Sequence, residues 1–208
     1  VLEPVLVEHI REHCRYDFKA ETRPFTENAI QNAVQALKGY RATGATHQNE
    51  QAYDLLCLGT SVPQTVEGDT KSFTIDYIDW KHPENNTYHC TAEFSVERLG
   101  LQKHYIPDIV LFVKGITLVV IECKRSAYTQ QKKKPVDLAI EQLSDYQAKD
   151  GIPQLFLFSQ LVIALARDKA EYGTTGTARQ FWTVWKEDGL DADIQDLLGR
   201  SRSGIPAR

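Results

Sequence analysis

The sequence predicts an α/β fold, with a mixed central β-sheet of about five strands flanked by helices. Three observations carry this. Two well-separated segments have helical periodicity, several short runs are rich in aromatic and β-branched residues, and two almost wholly apolar runs stand either side of Lys114 and Gly115. With 208 residues, 42% of them apolar, and no internal repeat or long linker, residues 1–208 read as one domain with one substantial core. Residues 1–50 are the less distinctive part, a helical lead-in.

In residues 26–39, Ile30, Ala33, Val34 and Leu37 recur at helical spacing, with Thr26 placed to cap the start and Gly39 the end. A turn-rich, polar passage follows, containing Gly44, Gly59, Pro63 and Gly68. Residues 72–80 (SFTIDYIDW) and 88–96 (YHCTAEFSV) read as two strands joined through residues 82–86 and expected to be antiparallel neighbours. Residues 108–113 (DIVLFV) and 116–124 (ITLVVIECK) form a hairpin about Lys114-Gly115, and their apolar cores put it at the centre of the sheet. Residues 136–149 place Ile140 and Leu143 in a helical pattern that begins after Pro135 and stops before Gly151-Ile152-Pro153. Strand-like runs return at residues 155–159, 161–166 and 181–185.

A net charge of -4 argues against a protein that coats nucleic acid by bulk electrostatics. The balance reverses locally: residues 101–134 hold Lys103, Lys114, Lys124, Arg125, Lys132, Lys133 and Lys134 against only Asp108 and Glu122. Lys132, Lys133 and Lys134 alone read as a solvated loop. Cys14, Cys57, Cys90 and Cys123 lie far apart with no CxxC pair, which suggests reduced thiols rather than a zinc ribbon or a disulfide framework. No apolar run approaches the roughly 20 residues of a membrane helix, and no signal-peptide pattern opens the chain. A soluble, cytoplasmic protein is expected. The lack of methionine, even at position 1, reads as a fragment, a processed start or chemically replaced methionine.

The chemistry concentrates at the end of the apolar hairpin. Side chains alternate along a strand, so Glu122 and Lys124 project to one side and Cys123 to the other. Four apolar residues, Leu118, Val119, Val120 and Ile121, lead straight into this acid and base. Charges there cost desolvation energy unless they are paired or bound to metal. If the strands pair about Lys114-Gly115, Asp108 meets Glu122 across the ladder. Two converging carboxylates with waters and a phosphate oxygen suffice to hold Mg²⁺. The ion would lower the pKa of a bound water and offset charge on the phosphate, with Lys124 orienting the water or stabilising the transition state.

Pro107-Asp108 followed by Glu122-Cys123-Lys124 resembles the PD-(D/E)xK nuclease superfamily. The wider stretch, YIPDIVLFVKG from Tyr105 and VVIECK from Val119, is similar to the N-terminal region of the motor, or restriction, subunit of type I restriction endonucleases. Those subunits resemble RecB-like nucleases in a Q-x-x-x-Y element after the lysine, matched here by Gln142 and Tyr146, which share one helical face. Residues 152–156 (IPQLF), 172–177 (YGTTGT) and 181–185 (FWTVW) also look like the family, so the resemblance runs over roughly residues 55–187. It implies a restriction-endonuclease-like fold and Mg²⁺-dependent hydrolysis of double-stranded DNA, with Mn²⁺ able to substitute. Asp108 and Glu122 would hold the metal, Lys124 would position the attacking water, and Gln142 and Tyr146 would contact DNA or support the site. Superfamily members often take another acid from the first helix, for which Glu27 is the candidate, although an acid there also suits the helix dipole. No GxxxxGK[ST] phosphate loop is present, so ATP would act only through motor domains that family members carry after this region. Methylation and specificity subunits are the implied partners.

Two competing readings stand beside this one. His9, Glu12 and His13 fit an H-x-x-E-H zinc-peptidase pattern, against the alternative of a solvated helical face. The other is a non-catalytic α/β module that docks DNA or another subunit, against which the intact set of Asp108, Glu122 and Lys124 argues.

Overall fold

The structure, a computed structural model, describes residues 1–39, 45–98, 100–125, 133–167 and 169–186, with only the backbone at 45–48. The described elements run α1 (Glu3–His13), β1 (Arg15–Phe18), β2 (Glu21–Pro24), α2 (Glu27–Lys38), α3 (Ala45–Leu58), β3 (Thr60–Val66), β4 (Asp69–Ile75), β5 (Tyr88–Ala92), β6 (Val96–Glu97), β7 (His104–Tyr105), β8 (Ile109–Val113), β9 (Ile116–Lys124), α4 (Pro135–Gln147), α5 (Pro153–Phe156), β10 (Leu161–Ala166), β11 (Lys169–Gly173) and β12 (Thr183–Val184). Six strands join in the order β12-β11-β10-β9-β8-β5, and the ribbons β1–β2, β3–β4 and β6–β7 lie outside that sheet. Its neighbours are antiparallel except β9 and β10, which run parallel because α4 carries the chain across between them. The sheet is therefore mixed and helix-flanked, one strand larger than the sequence suggested.

The central hairpin forms as its sequence dictates. Lys114 (φ 50°) and Gly115 (φ 76°) both occupy the left-handed region that a two-residue hairpin turn needs. A Cβ on Gly115 would stand 2.5 Å from the Leu2 carbonyl oxygen, so the turn also anchors the start of the chain. On one side of the sheet, Val110, Phe112, Val120, Val162 and Ala164 pack against Val136, Ala139, Ile140, Leu143 and Tyr146 of α4. A second core joins Leu6 and Ile10 of α1, the Ala29-Ile30-Ala33-Val34-Leu37 stripe of α2, Val62, Val66 and Ile75 of β3–β4, and Ile116. Thr26 caps α2 as expected, its hydroxyl accepting from the Ala29 N–H at 3.4 Å.

Several expectations are corrected. Residues 72–80 and 88–96 are not neighbouring strands: β4 pairs with β3, while β5 pairs with β8. The polar passage before residue 69 holds α3 and β3. Pro153 starts a helical turn where residues 155–159 were expected to extend, because proline suits a helix's first position. The 181–185 run contributes only the two-residue β12. The lead-in is not purely helical, since β1 and β2 make a hairpin there. Nor do the lysines between 103 and 134 share one patch. Lys114 is buried at the turn, roughly 30 Å of strand from Lys124, and Lys133 is held by Glu141 at 2.6 Å. Lys132 lies outside the described residues.

Candidate active site

The end of β9 meets α4. Glu122 and Lys124 face that helix, and on the other side of β9 the small Ala164 sits beside Glu122 in the parallel ladder, leaving room for its carboxylate. In the antiparallel ladder Ile109 pairs with Ile121, so one step further Asp108 stands opposite Glu122. The Asp108 Oδ2 accepts a hydrogen bond from the Cys123 backbone N–H at 2.7 Å, which fixes this carboxylate on the strand that carries Glu122.

Glu122 is 1% exposed. The Lys124 ammonium donates to its Oε1 at 2.6 Å, and the Tyr146 hydroxyl donates to its Oε2 at 3.3 Å. Lys124 also donates to the Gln142 Oε1, and the Gln142 amide nitrogen donates to the Tyr146 hydroxyl. Burial pushes the Glu122 carboxyl above its ordinary range; Lys124 opposes this, and the charge on Asp108 adds to it. Burial likewise raises the Tyr146 phenol, with Glu122 and Asp108 acting in the same sense, so the phenol remains a donor. The Cys123 thiol is raised too, by burial first and then by Asp108.

The sequence-predicted residues Asp108, Glu122, Lys124, Gln142 and Tyr146 are thus brought together. Tyr146 packs its ring in the α4 core and still reaches Glu122 with its hydroxyl. Glu27 is not brought with them: it sits at the exposed start of α2, bound to Arg11 at 2.6 Å and 3.0 Å. An open cavity of about 650 Å³ lies above the cluster, lined by Lys124, Gln142 and Tyr146 together with Tyr105, Arg125 and Asp145. Glu122 lies just beneath that lining, under the Lys124 ammonium. Sequence reasoning missed Tyr105, Arg125 and Asp145. The helical period would have found Asp145, three residues from Gln142 on the same face.

The donor set fits a hard divalent cation. Two carboxylates converge, one buried and repelled by the other, and the Asp108 Oδ1 makes no hydrogen bond among the described residues. Among those residues no group of three or more His, Cys, Asp and Glu side chains is close enough to hold a metal. Such a pair suits Mg²⁺, which retains several waters, better than a fully caged ion. The zinc-peptidase pattern is not assembled. His9 is buried against His13 with ring centroids 4.6 Å apart, Glu12 is exposed at 3.7 Å from His13, and among the described residues the three form no group that could hold a metal.

A mixed sheet with helices on its faces, and acids and a lysine gathered at one end of its central hairpin, is a restriction-endonuclease-like fold. Residues 2–181 match the family described as type I restriction enzyme R protein N terminus, and the chain belongs to that family. It is 30% identical over 186 residues to the type I restriction enzyme HindI endonuclease subunit of Haemophilus influenzae, covering 88% of this chain and 16% of that protein. It is 29% identical over 133 residues to the putative type I restriction enzyme MjaVIIIP endonuclease subunit of Methanocaldococcus jannaschii, covering 62% of this chain and 12% of the relative. The chain thus spans less than one-fifth of the length of these relatives. No helix among the described residues is long and apolar enough to cross a membrane.

Proposed function

We propose that this chain is the nuclease portion of a type I restriction subunit and hydrolyses DNA phosphodiester bonds at Asp108, Glu122 and Lys124. The observation that carries the reading is the placement of Lys124 over two converging carboxylates, bonded to Glu122 and Gln142 and facing an open cavity. Asp108 and Glu122 would hold Mg²⁺, or Mn²⁺ in its place. When bound, such an ion would supply an acidified water and offset charge on the phosphate.

The chain's own residues supply the rest. Lys124 has three N–H donors; two serve Glu122 and Gln142, and the third, with no partner among the described residues, would serve the attacking water or a phosphate oxygen. Gln142 fixes the ammonium from one side and bonds Tyr146 from the other, so the helix holds the lysine and the carboxylate in register. Tyr146 keeps its proton and directs it at Glu122, which holds the carboxylate in one rotamer.

In the intact enzyme this activity would cut double-stranded DNA in the cytoplasm, after ATP-driven translocation by further domains. Methylation and specificity subunits would supply sequence recognition. That part rests on the family and on the names of relatives far longer than this chain. The test is Lys124→Ala in the assembled enzyme. Cleavage should fall on the order of 10²–10³-fold, as when one transition-state donor is lost, with ATP hydrolysis and the circular dichroism spectrum retained. Undiminished cutting would remove the catalytic assignment.

A further inference from the structure

The ribbon β6–β7 is too short to hold itself, with two residues in each strand. Yet it is fastened over the site. Arg98, just after β6, donates from Nε to the Asp150 carbonyl at 2.8 Å and from Nη2 to the Asp150 carboxylate at 3.1 Å. Its guanidinium also lies over the Tyr105 ring, 4.5 Å from the centroid. Gln154 of α5 adds a bond to the Glu97 carbonyl at 2.8 Å. Tyr105 also contacts the Tyr146 ring, with centroids 5.0 Å apart and the rings tilted at 51°. Tyr146 carries a single hydroxyl proton, for which Glu122 Oε2 at 3.3 Å and the Ile106 carbonyl at 3.4 Å compete. The orientation of Tyr146, and therefore of β7, decides which acceptor receives it.

We propose that Arg98 and Tyr105 are positioning residues: packed one after the other against Tyr146, they keep its hydroxyl on Glu122 and so hold this carboxylate in the orientation that receives a divalent cation. The inference rests on the metal reading above and extends it to a hairpin with no role in the reaction itself. Groups that orient a metal-holding side chain typically contribute 10–100-fold to metal affinity. Tyr105 acts through its ring, since its hydroxyl makes no hydrogen bond among the described residues. Arg98 acts through its flat guanidinium, which both stacks and grips Asp150.

Mn²⁺ titration of this chain, followed by water-proton relaxation, reads the effect without relying on cleavage. The unchanged chain should bind saturably and Glu122→Gln should not. Tyr105→Ala should bind about tenfold more weakly, and Tyr105→Phe should bind as the unchanged chain does. Should Tyr105→Ala fail to fold, Arg98→Gln decides, because Arg98 lies outside both cores; it should weaken binding several-fold. Mn²⁺ affinity unaltered in folded Tyr105→Ala or Arg98→Gln overturns the clamp while leaving the metal reading in place. Failure of the unchanged chain itself to bind Mn²⁺ overturns the metal reading, and the clamp with it.

Discussion

At the scale of single residues, burial sets the chemistry. Glu122 and His9 are both nearly inaccessible ionisable groups, but only Glu122 has a full charge bonded to it. His9 has instead the Thr87 hydroxyl at 3.4 Å, the neighbouring ring of His13 and the nearby charge of Lys114. Burial first, then Lys114 and His13, lower its pKa from 6.5 to about 4. The unfolded chain therefore takes up a proton below pH 6.5 that the folded chain refuses until about pH 4. Stability from this residue is complete above pH 6.5 and is lost as pH falls between those values, by about 3 kcal/mol in all. Urea denaturation of His9→Gln at pH 7 and pH 5 checks this: the variant should lose less stability over that interval than the parent. An equal loss in both would show that His9 is not the group responsible.

At the scale of elements, the β8–β9 hairpin carries two predictions of opposite sign. Gly115→Ala forces a side chain into positive φ and towards the Leu2 carbonyl, so it should destabilise by about 1–3 kcal/mol. Thr117 is buried, and its hydroxyl has no hydrogen-bond partner among the described residues. Thr117→Val keeps the shape and removes the unsatisfied group, so it should stabilise by about 1 kcal/mol. Thermal melts of the two variants separate them; a shift in the same direction for both would contradict this account of the hairpin. The hairpin and α4 were legible in the sequence because their signals are local: an apolar run broken by Lys-Gly, and apolar residues spaced three apart after a proline. β3 was not, because its buried face is Val62, Gln64 and Val66. The hidden glutamine accepts from the Thr26 N–H at 3.2 Å and its hydroxyl at 3.0 Å, supporting the cap of α2, and a polar residue so placed breaks the expected alternation. The partner of β5 was equally hidden, since pairing across intervening elements is decided by the whole sheet. At the site, Asp108, Glu122 and Lys124 could be read from strand alternation and hairpin register, whereas Gln142 and Tyr146 were singled out by the family resemblance, the helical period adding only that they share a face. The Tyr105–Tyr146 contact joins residues far apart in sequence and had no local signal.

At the scale of the whole molecule, the parallel step from β9 through α4 to β10 makes the site. It sets the helix across the end of the central hairpin, so that Gln142 and Tyr146 descend on the strand that carries Glu122 and Lys124. The chain is acidic, with a net charge of -4, and the cavity is lined by Asp145 as well as Arg125. On the proposed reading, substrate binding would rest on the cation and on regions of the kind that the far longer Haemophilus relative carries, of which this chain covers 16%. Everything in this account depends on one ion shared by Asp108 and Glu122. The direct measurement is the anomalous-difference map of crystals soaked in Mn²⁺. A peak about 2.0–2.3 Å from a carboxylate oxygen of each residue is the predicted result. Manganese bound elsewhere at saturation, with both carboxylates ordered and bare, would contradict it.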